Sequence, residues 1–371
     1  MPAPDGAGIP SKRGSALNNV RWRDPLEFPR SDGGWSVLHP IVGSRRLGES
    51  SVRKHLRRSL PTNPILLSSP DTGGRYLPPV LLEPAKLLRT AQRDARIMFW
   101  GTIGITLLGT ALFYLGSDLR GATMFFTAYG ILSAYTGFNA WLYQVDTKAI
   151  SERWMFYGWC FSRGPRFALG FLLFMVLIGS IQLLGSGLFG DPELYKRSFG
   201  VIYADIDLAT EWWRLLTAPL VHDSVSHWMA NALIGTGLLT VYGPVLGLKG
   251  IFAALISTPA ALLAVLLSVW AFQLSGFGII GLSGGCAGLM GCFFAANLRR
   301  PASFPRAYAL VTGFIAMVTL FVVSFFMSSG SFIAHLAGFS VGGLIGFLVN
   351  PFSPYFYVSE EGGNRAQRDP N

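Results

Sequence analysis

The chain reads as an all-α polytopic membrane protein, and three observations carry that reading. Of its 371 residues 51% are hydrophobic and only 13% charged, which is too apolar for an ordinary soluble protein. The apolar residues gather in runs of about 20, enough to cross ~30 Å of hydrocarbon as helix. A lone chain in lipid must also satisfy its own backbone, so each run is read as helix. Eight spans are predicted, at 97–117, 121–144, 166–188, 227–247, 250–273, 281–298, 307–328 and 331–349.

Residues 1–92 are a different material. They are rich in Arg, Ser, Pro and Gly and lack sustained periodicity, so they read as a basic, largely disordered tail. Within them, "SRRLGESSVRKHLRRSL" (Ser44 to Leu60) is a basic patch suited to anionic lipid. Residues 93–150 hold the first two spans, a transmembrane hairpin closed by "SDLR". Residues 351–371 form a polar C-terminal tail. The net charge of +10 belongs to basic segments flanking the spans, and no nucleic-acid motif accompanies it. Cys160, Cys286 and Cys292 make no disulfide framework. No metal and no cofactor is expected.

The loops set orientation. Basic residues follow the even-numbered spans: Lys148, Arg153, Arg163 and Arg166, then Lys249, then Arg299, Arg300 and Arg306. The segment 189–226, on the opposite side, holds Asp191, Glu193, Asp205, Asp207 and Glu211. Both termini are therefore expected in the cytoplasm or its equivalent. The plasma membrane is the expected site, with the mitochondrial inner membrane as the alternative. Frequent Arg and Ser in the tail speak for that alternative; Asp24, Glu27, Asp32 and Glu49 speak against it. The segment 189–226 is itself unusual, because "WWRLLTAPLV" is apolar yet too short to span. It suits an element lying in the membrane interface.

No Asp, Glu, Lys or Arg lies well inside the last five spans, which argues against a transporter or pump. What remains at depth is a small polar set. His222 precedes the fourth span; His227 and Asn231 lie near its start, four apart and on one helix face. Ser283 lies near the start of the sixth span and His335 near the start of the eighth. All these spans begin on the same side, so the polar groups should share one depth. A serine needs an adjacent base to become a nucleophile, and histidine can take that proton. An Asn amide, a His N–H and a backbone N–H at a helix start can hold an oxyanion. Gly284 and Gly288 are four apart, as are Gly338, Gly342 and Gly346; such small-residue stripes let membrane helices pack closely. Taken singly, a membrane serine usually bonds its own backbone and a glycine stripe only packs. Their conjunction at one depth points to serine hydrolysis.

These residues resemble the rhomboid family of intramembrane serine proteases. The resemblance rests on "EWWRLLTAPLVHDSVSHWMANAL", with Trp213, Arg214, His222, His227 and Asn231 at the family's spacing. It rests also on "GLSGGCAGLMG", with Gly281, Ser283 and Gly284, and on "AHLAGFSVGG", with His335, Gly338 and Gly342. It covers residues 166–350 and implies a six-helix core preceded by the extra hairpin. It implies a Ser283–His335 dyad with an oxyanion hole from His227, Asn231 and the Ser283 N–H. His222 would support that hole, and Trp213 and Arg214 would hold the interfacial loop. Substrates would be single-span transmembrane proteins, cut near the non-cytoplasmic end of the span. The alternative is a non-proteolytic relative that binds membrane-protein clients. Two departures stand out: Ala287 replaces a Tyr that many members stack on the catalytic His, and "YGPVLGLKG" lacks a Glu often found there.

Overall fold

The computed structural model describes residues 21–23, 31–39, 42–48, 50–52, 65–82, 147–202, 206–272, 278–279, 281–305, 308–313, 329–349 and 351–352, with scattered helical positions from 89 to 104 and at 316 and 320. The hairpin expected at 97–117 and 121–144 lies almost wholly outside these residues, as do most of the seventh span and the tail beyond 352. The described parts are predominantly helical, and the chain divides into two compact units.

The first unit takes in residues up to 93 together with 142–159 and 300–307. Among the residues expected to form a largely disordered tail, the described ones include a small folded sheet. Three short strands, β1 (Ser36–His39), β2 (Gly43–Arg46) and β3 (Leu66–Ser68), form an antiparallel sheet in the order β2-β1-β3. Val37, Val52, Ile65 and Leu67 are buried against it. Part of the basic patch is thus a strand, and Arg46 of β2 bonds Asp32 through Nε at 2.8 Å. Trp22 is buried edge-on to Phe156, at 5.8 Å between ring centres, and its Nε1 donates to Ser303 O at 2.9 Å. Beside it Arg23 donates to Ala302 O at 2.9 Å and Phe304 O at 3.3 Å. Phe156 belongs to helix α1 (Thr147–Arg163), which the sequence reading left unassigned; Ala149, Arg153, Trp154, Phe156 and Trp159 are among its buried residues in this unit.

The second unit holds the apolar helices. These are α2 (Pro165–Phe189), α4 (Val225–Leu246), α5 (Leu248–Phe272), α6 (Ser283–Arg299) and α7 (Ser329–Leu348), with the short polar helix α3 (Pro192–Phe199) between α2 and α4. Among the described residues, three stretches are long and apolar enough to cross a membrane: Pro165–Phe189, His227–Leu246 and Leu248–Phe272. They match predicted spans within a few residues. α6 has 17 residues and is buried nearly all round. Protein surrounds it in place of lipid, so its glycine-rich composition costs no exposed backbone.

Close approaches fix the packing. α2 and α4 run antiparallel: the Trp228 ring lies against Gly179, Phe171 against Gly235 and Phe167 against Gly243. Trp228 Nε1 also donates to Met175 O at 2.9 Å. α4 turns into α5 at Gly247, whose φ of 58° suits glycine. α5 lays Ser257 and Thr258 against Gly288 and Gly285. α6 and α7 run parallel with backbone on backbone. Gly338 meets the Gly284 carbonyl, Gly342 the Gly288 carbonyl and Gly346 the Cys292 carbonyl. Each step advances four residues on both helices, so the expected glycine stripes do face each other.

This contact yields a test. A Cβ at Gly342 would lie 2.6 Å from Gly288 Cα, so Gly342→Ala forces the helices apart. Its thermal midpoint in detergent should drop, reflecting about 1–3 kcal/mol of overpacking. At Gly343 the nearest atom to such a Cβ, Gly291 O, is 3.9 Å away. Gly343→Ala should leave the midpoint unchanged or raise it, because Ala favours helix by about 1 kcal/mol. Equal losses in both variants would contradict the packing.

Candidate active site

Gly281 is the centre of the polar cluster. Its φ is 105°, a conformation that L side chains rarely adopt. A Cβ there would lie 2.8 Å from His227 Cε1, 2.9 Å from His227 Nε2 and 3.2 Å from Asn231 Nδ2. Only glycine leaves room for the imidazole and the amide together. The Gly281 N–H donates to Ala218 O at 2.9 Å, tying it to the loop before α4. Two residues on, Ser283 opens α6 and is half-buried. Helix geometry gives the first N–H groups of α6 no acceptor within the helix, so the Ser283 N–H belongs to a donor-rich end.

His335 comes to the site through α7. Contacts run both ways, from Gly338 to the Gly284 carbonyl and from Gly288 to the Gly338 carbonyl, and set a parallel register in which Ser283 lies near the level of His335. Ala334 O lies 3.8 Å from where a Gly284 Cβ would sit, so the residues flanking Ser283 and His335 touch. His335 is 5% exposed. The Ser283 hydroxyl and the His335 ring are not hydrogen-bonded to each other; catalytic hydrogen bonds often tighten only with substrate bound.

Asn231 is 3% exposed, and its Nδ2 has no hydrogen-bond partner among the described residues. An unpaired buried amide costs about 1–3 kcal/mol, so a donor left open beside Gly281 is informative. His222 packs its ring edge-on to His227, with 5.3 Å between centroids, and both its ring nitrogens also lack partners among the described residues. The sequence reading missed what holds it. Gln182 of α2 donates from Nε2 to His222 O at 2.6 Å, and its Oε1 accepts from His222 N at 2.9 Å. A single Gln in an apolar span was the available signal. Ser224 caps α4 by accepting from the His227 N–H at 3.2 Å.

Trp213 and Arg214 sit in the segment between α3 and α4. Arg214 donates to Arg197 O, to Gly200 O at 3.2 Å and to Glu211 at 2.5 Å, and lies 5.4 Å over the Trp213 ring. Trp213 meets Phe199 of α3 at 6.1 Å. One arginine thus fastens the end of α3 to the turn at Leu208–Glu211. Lys196 of α3 bridges Glu193 at 2.7 Å and Asp223 at 3.3 Å, and these carboxylates raise its pKa. A two-residue pairing of β4 (Val201–Ile202) with β5 (Gly278–Ile279) joins the same loop to the strand leading into Gly281. Ala287 is buried one turn below Ser283. Among the described residues no group of His, Cys, Asp and Glu could hold a metal ion.

Residues 209–352 match the family described as the rhomboid domain. Every candidate site residue named from the sequence lies inside that match, from Trp213 to Gly342, whereas α2 and α3 lie before it. No curated protein matches the chain. The rhomboid family is generally one of intramembrane serine proteases, and the apolar helices accord with an integral membrane protein.

The histidine pair yields a pH test. Burial first, and the neighbouring His227 second, hold the His222 imidazole at about 4, below its ordinary 6.5. The unfolded chain takes up that proton near 6.5, but the folded chain resists until about 4. Stability from His222 is therefore complete above pH 6.5 and is lost as pH falls toward 4. His222→Gln keeps a polar side chain without this titration. It should flatten the fall of the thermal midpoint between pH 6.5 and 4.5; an equally steep fall would contradict the assignment.

Proposed function

We propose that the protein is an intramembrane serine endopeptidase acting through Ser283 and His335. The observation that carries this reading is the open Asn231 amide beside His227 at Gly281, two residues before a serine at a helix N-terminus. Ser283 Oγ attacks the scissile carbonyl carbon while a His335 ring nitrogen takes its proton. The carbonyl oxygen becomes an oxyanion, held by Asn231 Nδ2, a His227 N–H and the Ser283 N–H. The C–N bond then breaks as His335 returns the proton to the leaving amine. Water, deprotonated by His335, releases the acyl group from Ser283. No metal or cofactor enters these steps.

The substrates are single-span transmembrane proteins. The site lies at the end of the helices opposite Arg166, Lys249 and Arg299, so cleavage falls near the non-cytoplasmic end of the substrate span. Both termini of the enzyme are then cytoplasmic. A helical peptide bond is shielded from attack, and unwinding it in lipid costs several kcal/mol per unsatisfied group. Small and helix-breaking residues near the cut lower that cost.

Purified protein with a panel of single-span substrates tests the reading. Ser283→Ala and His335→Ala should each abolish cleavage while the protein still accumulates in membranes. Full activity in either would sink the assignment. Asn231→Ala should lower kcat by about 10²–10³ with little change in KM. A raised KM at unchanged kcat would place Asn231 in substrate binding instead.

A further inference from the structure

A cavity of about 380 Å³ lies between α2, α4, α5 and α6 and is lined by none of the polar residues of the candidate site. Its size falls within the range of small-ligand pockets. The lining is apolar, including Phe171, Leu239, Leu255 and Leu282, and Arg166 is its one charged residue. Glycine opens part of the space. Gly170 lines the cavity and has no atom within 4 Å of where its Cβ would be.

The helix directions place the charge. α2 starts at Pro165, α5 starts at Leu248 and α6 ends at Arg299, with α2 antiparallel to α4 and α5 following α4 through the Gly247 turn. Arg166, Lys249 and Arg299 therefore gather at one end of the bundle, and Ser283 begins α6 at the other. The cavity runs from Arg166 toward Leu282 and Gly285, which flank Ser283. It is apolar along its length and cationic at the end meeting the membrane surface.

Few occupants match that pattern. Water would find almost no hydrogen-bond partners along the walls. A helix, about 10 Å across, is too wide. An extended peptide would leave its backbone groups unsatisfied. A single acyl chain needs no polar partner, and an anionic phosphodiester complements a guanidinium at the surface. We propose that this cavity binds one acyl chain of an anionic phospholipid from the bilayer, with Arg166 holding its phosphate. The site is independent of the proteolytic reading, since it uses none of the residues assigned to chemistry.

Native mass spectrometry of the full chain in dodecyl maltoside micelles tests the proposal. The probes are dioleoyl phosphatidylglycerol and dioleoyl phosphatidylcholine, added at equal concentration. Wild type should retain one phosphatidylglycerol per chain, about fivefold more readily than phosphatidylcholine. Arg166→Gln should bring the two lipids level. Gly170→Leu, which fills the open space, should reduce retention of both. Thermal midpoints without lipid verify that the variants fold. Equal retention of the two lipids by wild type overturns the proposal, as does phosphatidylglycerol retention unchanged in both variants or absent from wild type.

Discussion

The site depends on the backbone contact between α6 and α7. In lipid there is no hydrophobic force to press helices together, so close van der Waals contact must do it. Three carbonyls of α6, from Gly284, Gly288 and Cys292, rest where side chains of Gly338, Gly342 and Gly346 would be. Backbone meets backbone there with no side chain between. It also fixes the register, because a stripe spaced by four residues meshes with a like stripe at few offsets. The position of His335 relative to Ser283 follows from that register.

The other half of the site is built the same way. Gly281 lets an imidazole and an amide come within van der Waals contact of the backbone just before the serine. Around it the fold spends buried polar groups freely: Asn231 leaves a donor open, and His222 is held by its main chain through Gln182. Donors fixed before the reaction need no reorganisation when charge develops. The segment between α3 and α4 is restrained separately, by Arg214 on α3 and by the pairing of β4 with β5. That segment and the strand before Ser283 are thereby parts of one assembly.

Much of this was legible in the sequence because membrane chemistry is restrictive. Polar residues are few at depth, so His227, Asn231, Ser283 and His335 stand out against Leu, Phe and Val. Three of the spans were legible from length alone, and the glycine stripes from their spacing. Other features depended on partners far along the chain. The strands of the N-terminal sheet are three or four residues long, too short to establish a period, and Trp22 is buried by residues more than 130 positions away. Gln182 looked like one polar residue in an apolar run, and only the fold brings it to His222. α1 was obscured by its mixed composition, with Trp154, Phe156 and Trp159 turned inward among charged residues.

The central claim is that glycine packing of α6 on α7 makes Ser283 reactive. Reaction of Ser283 with a fluorophosphonate probe measures this directly, in the native chain and in Gly338→Leu, per molecule of folded protein judged by circular dichroism. A side chain at Gly338 would press on the Gly284 carbonyl, displacing His335 from the serine without touching either residue. The account predicts labelling slower by about 10²-fold, the cost of a displacement near 1 Å. Labelling at the native rate in the folded variant would contradict it.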